Sequence, residues 1–405
     1  MEERFQNRYY LIFFSSLLGP LTTNSLVPIF EELRQNFGLN SIAIVSLAIS
    51  FYIFPFAIFQ LFAGTFSDIV DKKMVVILGF IIFIFGVFLS IIAVITKIFY
   101  LFLLAFFIQG IGFSFINPTI LAILSIITPE RKKGFIMGIY NSSAGIGVSI
   151  GGFLAGFLAN NFDDWRLLFT LNFIISIISL ILLLLALKEC EALVCRTYEY
   201  IPKEKKDVNE SKIYAIFLKL KENLKPPILL LGIAGFICFF IVITLTNTLN
   251  EQIRISISNL SNQEVIFYVS LILTINGIIS IILSPITGLL LKRVNPLVIL
   301  FIGFIFMLAM VLMPYGNSIN DFMLISFLTY MGSALIWPSL FKISMDLNPE
   351  AEGTNSAIIN SLRFVGYSLV GPFYLFFGIP IIYYWVISFN ILAIIIVLLL
   401  RSLKV

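Results

Sequence analysis

The chain has 405 residues, of which 60% are hydrophobic and only 12% charged, against roughly 25% charged in an ordinary soluble domain. It contains no histidine, which excludes serine–histidine catalysis and histidine-ligated zinc. The formal net charge of +4 is too small, and too unevenly placed along the chain, to indicate a nucleic-acid partner.

Windows of 19 residues pick out apolar, almost charge-free stretches at 9–30, 42–66, 74–95, 98–126, 134–159 and 167–187. Six more lie at 227–249, 265–291, 296–314, 322–343, 354–377 and 380–400. Each is about 20 residues long, enough for a helix to cross a ~30 Å hydrocarbon core. Only helices and closed barrels satisfy their backbone groups in lipid, so twelve transmembrane helices are expected. Arg4 and Arg8 precede a stretch too long for a signal-peptide core, and no small-residue cleavage site follows it. The first span is therefore expected to stay as an anchor.

Basic residues set the orientation. With the N-terminus inside, 21 of the 26 Lys and Arg fall on the inner side, and only Arg34, Lys97, Arg166 and Arg254 on the outer side. Both termini are expected in the cytoplasm, and the plasma membrane is the expected location. The polar segment 188–226 separates six spans from six. Within it Ile213, Phe217, Leu220 and Leu224 recur at helical spacing, which predicts an amphipathic helix on the inner membrane surface. The expected organisation is a bundle at 1–187, a linker at 188–226 and a second bundle at 227–405. Cys190 and Cys195 lie in the linker, and two thiols without histidine make a poor metal site. No metal or cofactor is expected.

The two halves repeat each other. Gly112, Pro118-Thr119 and Pro129-Glu130 recur 220 residues later as Gly332, Pro338-Ser339 and Pro349-Glu350. After a one-residue slip, Asn141-Ser142 and Gly147 recur as Asn360-Ser361 and Gly366. Parallel six-span repeats occur in secondary transporters, which bind substrate between the halves at mid-membrane.

The loop Gly64-Thr-Phe-Ser-Asp68-Ile-Val-Asp71-Lys72-Lys73 resembles the signature loop of the major facilitator superfamily, with Ile69 and Asp71 as departures. The turns at 129–134 and 349–353 and the Trp165-Arg166 turn agree with that resemblance. Gly145–Gly152 in span 5 is similar to the glycine-lined antiporter motif, with Val148 in place of its proline. The resemblance implies an all-α membrane protein with twelve transmembrane helices in two pseudo-symmetric six-helix bundles. It also implies alternating access, with Gly64, Asp68, Lys72 and Lys73 forming a cytoplasmic gate. The twelve-span drug-efflux branches are the most similar.

No Asp or Glu lies deep in any span, so a carboxylate proton carrier at mid-membrane is not expected. Arg363 is the one basic residue deep within a span, about nine residues in. It would cost several kcal/mol there unless it meets water, a partner or a ligand. Two readings stay open: it holds an anionic substrate group, or it bonds carbonyls and Asn360. Asn24, Gln109, Asn117, Asn141, Asn247, Asn276 and Asn360 are the mid-span amides. In the family that the chain resembles, spans 1, 4, 7 and 10 line the cavity, helped by spans 2, 5, 8 and 11. That favours Asn24, Tyr52, Gln109, Asn117, Asn141, Asn247, Tyr330, Trp337 and Arg363 as substrate-binding candidates. No Gly-x-x-x-x-Gly-Lys-Ser/Thr loop is present, which excludes a phosphate-cradling nucleotide site of that type.

The expected function is export of a small amphipathic or drug-like compound by a monomer that needs only its substrate and the bilayer. The alternatives are uptake of an organic anion or metabolite, and a non-transporting receptor or scaffold. No enzymatic activity and no nucleic-acid partner are expected.

Overall fold

The computed structural model describes residues 9–69, 71–127, 130–162, 164–199, 225–347 and 352–402, and these are helical almost throughout. The first span, α1, comprises Tyr9–Asn24, a 3₁₀ turn at Val27–Ile29 and a short helix Phe30–Asn36. The next five are α2 (Ile42–Ile69), α3 (Lys72–Thr96), α4 (Phe99–Ile127), α5 (Glu130–Phe162) and α6 (Leu167–Glu199). The second half holds α7 (Pro226–Ser256), α8 (Asn262–Leu290), α9 (Pro296–Met307, continued as a 3₁₀ turn Leu308–Tyr315) and α10 (Ile319–Leu347). The stretch Glu352–Ser402 contains the last two spans. Its apolar part, Ile358–Ser402, has 45 residues, about twice what one crossing needs. Gly378 (φ 61, ψ −174) and Ile379 (φ −89, ψ 136) are non-helical and divide it into α11 (352–377) and α12 (380–402). The positive φ at Gly378 is one that a side chain would disfavour.

Twelve crossings put Tyr9 and Ser402, the first and last described residues, on one face, here the terminal face. The loops 37–41, 97–98, 164–166, 257–261, 316–318 and 378–379 lie on the other, the far face. Helix ends follow from local chemistry. Asp71, a departure from the signature loop, caps α3 by accepting from the Lys73 N–H at 2.9 Å. Ser261 and Glu264 form a reciprocal capping box at the start of α8, satisfying two donors that a helix start leaves open.

Two boundaries differ from expectation. The first span does not stop at residue 30. Pro28 lacks an N–H and interrupts the helix, but helix resumes at Phe30 and carries Glu31 and Glu32 into buried positions. α6 runs on to Glu199 rather than ending at 187, so residues 188–199 of the expected linker are helical. The expected amphipathic helix at 211–224 lies outside the described residues.

The sequence repeat is visible as matched close contacts. Gly112 on α4 meets Gly79 on α3, where an added Cβ would sit 2.7 Å from the Gly79 carbonyl oxygen. Gly332 on α10 meets Gly303 on α9 in the same way. Gly147 on α5 lies against the Leu17 carbonyl of α1, and Gly366 on α11 against the Phe236 carbonyl of α7. Without a hydrophobic drive between helices in lipid, such backbone approach is the main source of association. Gly366→Val should therefore destabilise the second bundle by about 1–3 kcal/mol, read as a lowered Tm in detergent.

The halves meet along two seams. On one, Ser149 on α5 donates to the Thr274 carbonyl of α8 at 2.8 Å, and Gly145 faces Gly277. The span-5 glycines thus meet α8, and through Gly147 and Gly151 also α1. On the other, Phe56 on α2 stands edge-on to Phe364 on α11 at 4.7 Å, and Gly371 abuts Ser50.

Candidate functional site

Arg363 sits near the middle of α11, and its neighbours define the site. Its guanidinium carbon lies 3.9 Å from the ring centre of Trp337 on α10, 4.2 Å from Phe239 on α7 and 4.5 Å from Phe364 on its own helix. Aromatic faces attract a cation, by ~2 kcal/mol or more when the site is desolvated. They do not use up the hydrogen-bond donors of a guanidinium. Nη1 reaches the Asn360 Oδ1 at 3.5 Å, at the limit of a hydrogen bond, and Nε is buried without a partner. The ion pairs among the described residues do not include Arg363. The charge is therefore held by π faces and left short of acceptors.

Polar groups ring this centre. Tyr367, one turn beyond Arg363, is buried, with its ring centre 6.4 Å from that of Phe239. Tyr52 on α2 keeps a buried hydroxyl with no partner. Tyr330 on α10 is hydrogen-bonded to Thr246 on α7 at 3.1 Å. Cys238 on α7 meets the Ser333 hydroxyl on α10 at 3.9 Å. Phe56, Phe113 and Phe239 supply apolar wall, with Phe113 5.3 Å from Phe56 and 6.2 Å from Tyr52.

The structure brings Tyr52, Tyr330, Trp337 and Arg363 to this centre. It places the other candidates differently. Asn24 turns back on its own helix, donating to the Pro20 carbonyl at 2.8 Å. Gln109 is fully buried with both amide atoms unpartnered, and its Cγ lies over Gly86 of α3. Replacing it with leucine would remove an unsatisfied amide from the α3–α4 seam, which is neutral to stabilising when no partner is stranded. Gln109→Leu should therefore keep or raise Tm and leave transport intact, and loss of transport would place Gln109 in the pathway. Asn247 is buried with both amide atoms unpartnered. It is one helical turn from Glu251, whose carboxylate accepts from the Tyr374 hydroxyl of α11, and from Asn250, which meets α1. Asn117 is half-buried on α4. The Asn141 and Asp68 side chains lie outside the described residues, and Gly64 is described only as part of the α2 backbone. Lys72 and Lys73 open α3 at the terminal face.

Sequence reasoning missed Phe239 and Tyr367. It also missed a polar lattice at the far face. There Asn250 on α7 donates to the Val27 carbonyl at 3.2 Å and the Pro28 carbonyl at 2.9 Å, both on α1. Arg254 donates through Nε to Asn250 Oδ1 at 2.9 Å and through Nη2 to Asn262 Oδ1, and Asn262 donates to Glu32. Arg34 makes a two-pronged pair with Glu31 at 2.6 and 2.8 Å. These bonds join the halves at the far face. The one signal for them in the sequence is the Asn250–Arg254 spacing of four residues at a span end.

Twelve crossings, matched halves and a charged aromatic centre in the second half, beside the Phe56–Phe364 contact between the halves, define a membrane transporter. The profile of the Major Facilitator Superfamily matches residues 12–371, and the chain belongs to that family. An uncharacterized MFS-type transporter of Methanocaldococcus jannaschii is 25% identical over 157 residues, 39% of this chain and 40% of that protein. A second uncharacterized MFS-type transporter, YceJ of Bacillus subtilis, is 31% identical over 185 residues, 44% of each. The vacuolar membrane amino acid uptake transporter fnx2 of Schizosaccharomyces pombe is 27% identical over 156 residues, 38% of this chain and 26% of that protein. The matched stretch thus spans less than half of each relative's length. Two solved POT family transporters share the fold. One, in complex with a thioalcohol-conjugated peptide, has a TM-score of 0.73, 16% identity and coverage of 98% of this chain and 96% of that one. The other, in complex with 5-aminolevulinic acid, has a TM-score of 0.71, 15% identity and coverage of 97% and 95%.

Proposed function

We propose that this transporter carries a small amphipathic compound with an anionic group, by alternating access between its two halves. The Arg363 guanidinium, stacked on three rings and short of acceptors, supports that reading most directly. A carboxylate could accept from its free donors, while Trp337, Phe239 and Phe364 offer apolar surface to the rest of the compound. Tyr52, Tyr330 and Tyr367 are the neutral hydrogen-bonding groups around it. Export is the favoured direction, on the glycine-lined α5–α8 seam that resembles the antiporter motif. Uptake of an amino acid or similar metabolite is the second reading, favoured by the amino acid uptake relative and by the neighbour that holds 5-aminolevulinic acid.

The terminal face is taken as cytoplasmic on the basic-residue bias, and the protein as a plasma-membrane monomer. The segment Gly64–Lys73, with Asp68, Lys72 and Lys73, is the gate at that face. The mechanism needs a ligand that stabilises the closed intermediate relative to both open states. No metal, cofactor or chemical step enters it. Counterflow in proteoliposomes tests the reading. Amphipathic carboxylates should exchange across the bilayer, and neutral analogues of the same size should exchange far less. Equal exchange of both would remove the role assigned to Arg363.

A further inference from the structure

Away from the transport pathway, two hollows open between α3 and α6 on the lipid-facing surface. The upper one, about 120 Å³, lies at the far face with Asp164 and Arg166 at its rim. The lower one, about 330 Å³, is walled by Ile81, Ile84, Phe85, Phe88 and Phe173. Their α3 residues, Ile81 to Ile95, recur every three or four positions and so share one helix face. That face is about 20 Å long, more than the ~15 Å depth of one hydrocarbon leaflet. Phe88 and Phe173, with ring centres 6.0 Å apart, mark where the two elements face each other.

The rim is chemically unlike the walls. The Asp164 carboxylate accepts the Arg166 backbone N–H at 3.0 Å, which fixes the turn. The Arg166 guanidinium lies 5.7 Å from the Trp165 ring. Neither charge enters the ion pairs formed among the described residues. A cation and an anion thus stand two residues apart, outside those ion pairs, above two separate apolar hollows in line along one helix face, the α3–α6 groove. Tryptophan belongs at that depth, since its amphipathic ring favours the membrane interface.

We propose that the α3–α6 groove binds one amine-bearing phospholipid. Its phosphate meets Arg166, its ammonium meets Asp164, and one acyl chain lies along Phe85 and Phe88. A headgroup with negative charge alone would face repulsion from Asp164. A quaternary amine cannot donate a hydrogen bond to that carboxylate.

The test uses the full-length protein purified in mild detergent, with native mass spectrometry and thermal shift. Phosphatidylethanolamine, phosphatidylcholine and phosphatidylglycerol are added separately. One phosphatidylethanolamine should stay bound and raise Tm more than either of the others. Asp164→Asn and Arg166→Gln should each weaken its retention about fivefold, the scale of one charge-assisted hydrogen bond at a half-exposed site. Both side chains lie at the groove mouth, so Tm without added lipid should hold. Equal retention of the three lipids, or retention unchanged in both variants, would overturn the proposal. No transport substrate is needed, so failure here is separate from failure of the transport reading.

Discussion

Arg363→Ala should weaken binding of anionic ligands by about 30- to 4,000-fold while leaving neutral ligands within about threefold. Truncating one partner of a desolvated charge pair costs about 2–5 kcal/mol, and a factor of ten is 1.4 kcal/mol. The selective loss distinguishes a ligand-holding role from a structural one. If Arg363 only bridges Asn360 and nearby carbonyls, its removal should lower Tm and weaken all ligands alike. Arg363→Lys separates the two further, because an ammonium keeps the charge but loses the planar fork that pairs with a carboxylate. It should retain partial anion binding. Trp337 offers a direct readout, since its ring is 3.9 Å from the guanidinium. Anion binding should change its fluorescence, isolated by replacing Trp165 and Trp385 with phenylalanine.

Such a test is available because Arg363 was legible in the sequence. A charge at mid-span is expensive, so one arginine in an otherwise uncharged window carries information. Its surroundings were not legible in the same way. Phe239 is one of 43 phenylalanines, and nothing in its local sequence separates it from those that face lipid. Tyr367 was within reach, being one turn from Arg363. The spans and the repeat were legible because the bilayer imposes length and apolarity. Gly112, Gly332, Gly147 and Gly366 recur because equivalent backbones must approach in each half. The amides were harder. A mid-span Gln or Asn signals a polar need without saying which neighbour meets it, and helical phase alone did not reveal that Gln109 lies against Gly86. The far-face lattice was hidden because Asn250 bonds to backbone carbonyls, which carry no side-chain signature.

The second large effect is expected at that lattice. Asn250→Ala removes two buried hydrogen bonds that cross between the halves, leaving the Val27 carbonyl only the Phe30 N–H of its own segment. At about 1 kcal/mol net for each bond, the far-closed arrangement loses ~2 kcal/mol relative to the far-open one, about a 30-fold shift in their ratio. Leu26, fully buried beside the seam, reports the opening. In a background with Cys190, Cys195 and Cys238 replaced, Leu26→Cys should react slowly with an impermeant maleimide added from the far side. Adding Asn250→Ala should accelerate the reaction by about the same 30-fold factor. Arg254→Gln should act in the same direction with smaller effect, because Arg254 orients the Asn250 amide through Oδ1 and does not itself touch α1 carbonyls. An unchanged labelling rate in a folded Asn250→Ala protein would mean that the α2–α11 and α5–α8 seams alone keep the far face shut. The expected acceleration would instead make the Pro28 break in α1 part of the gate, exposing carbonyls that a continuous helix would keep to itself.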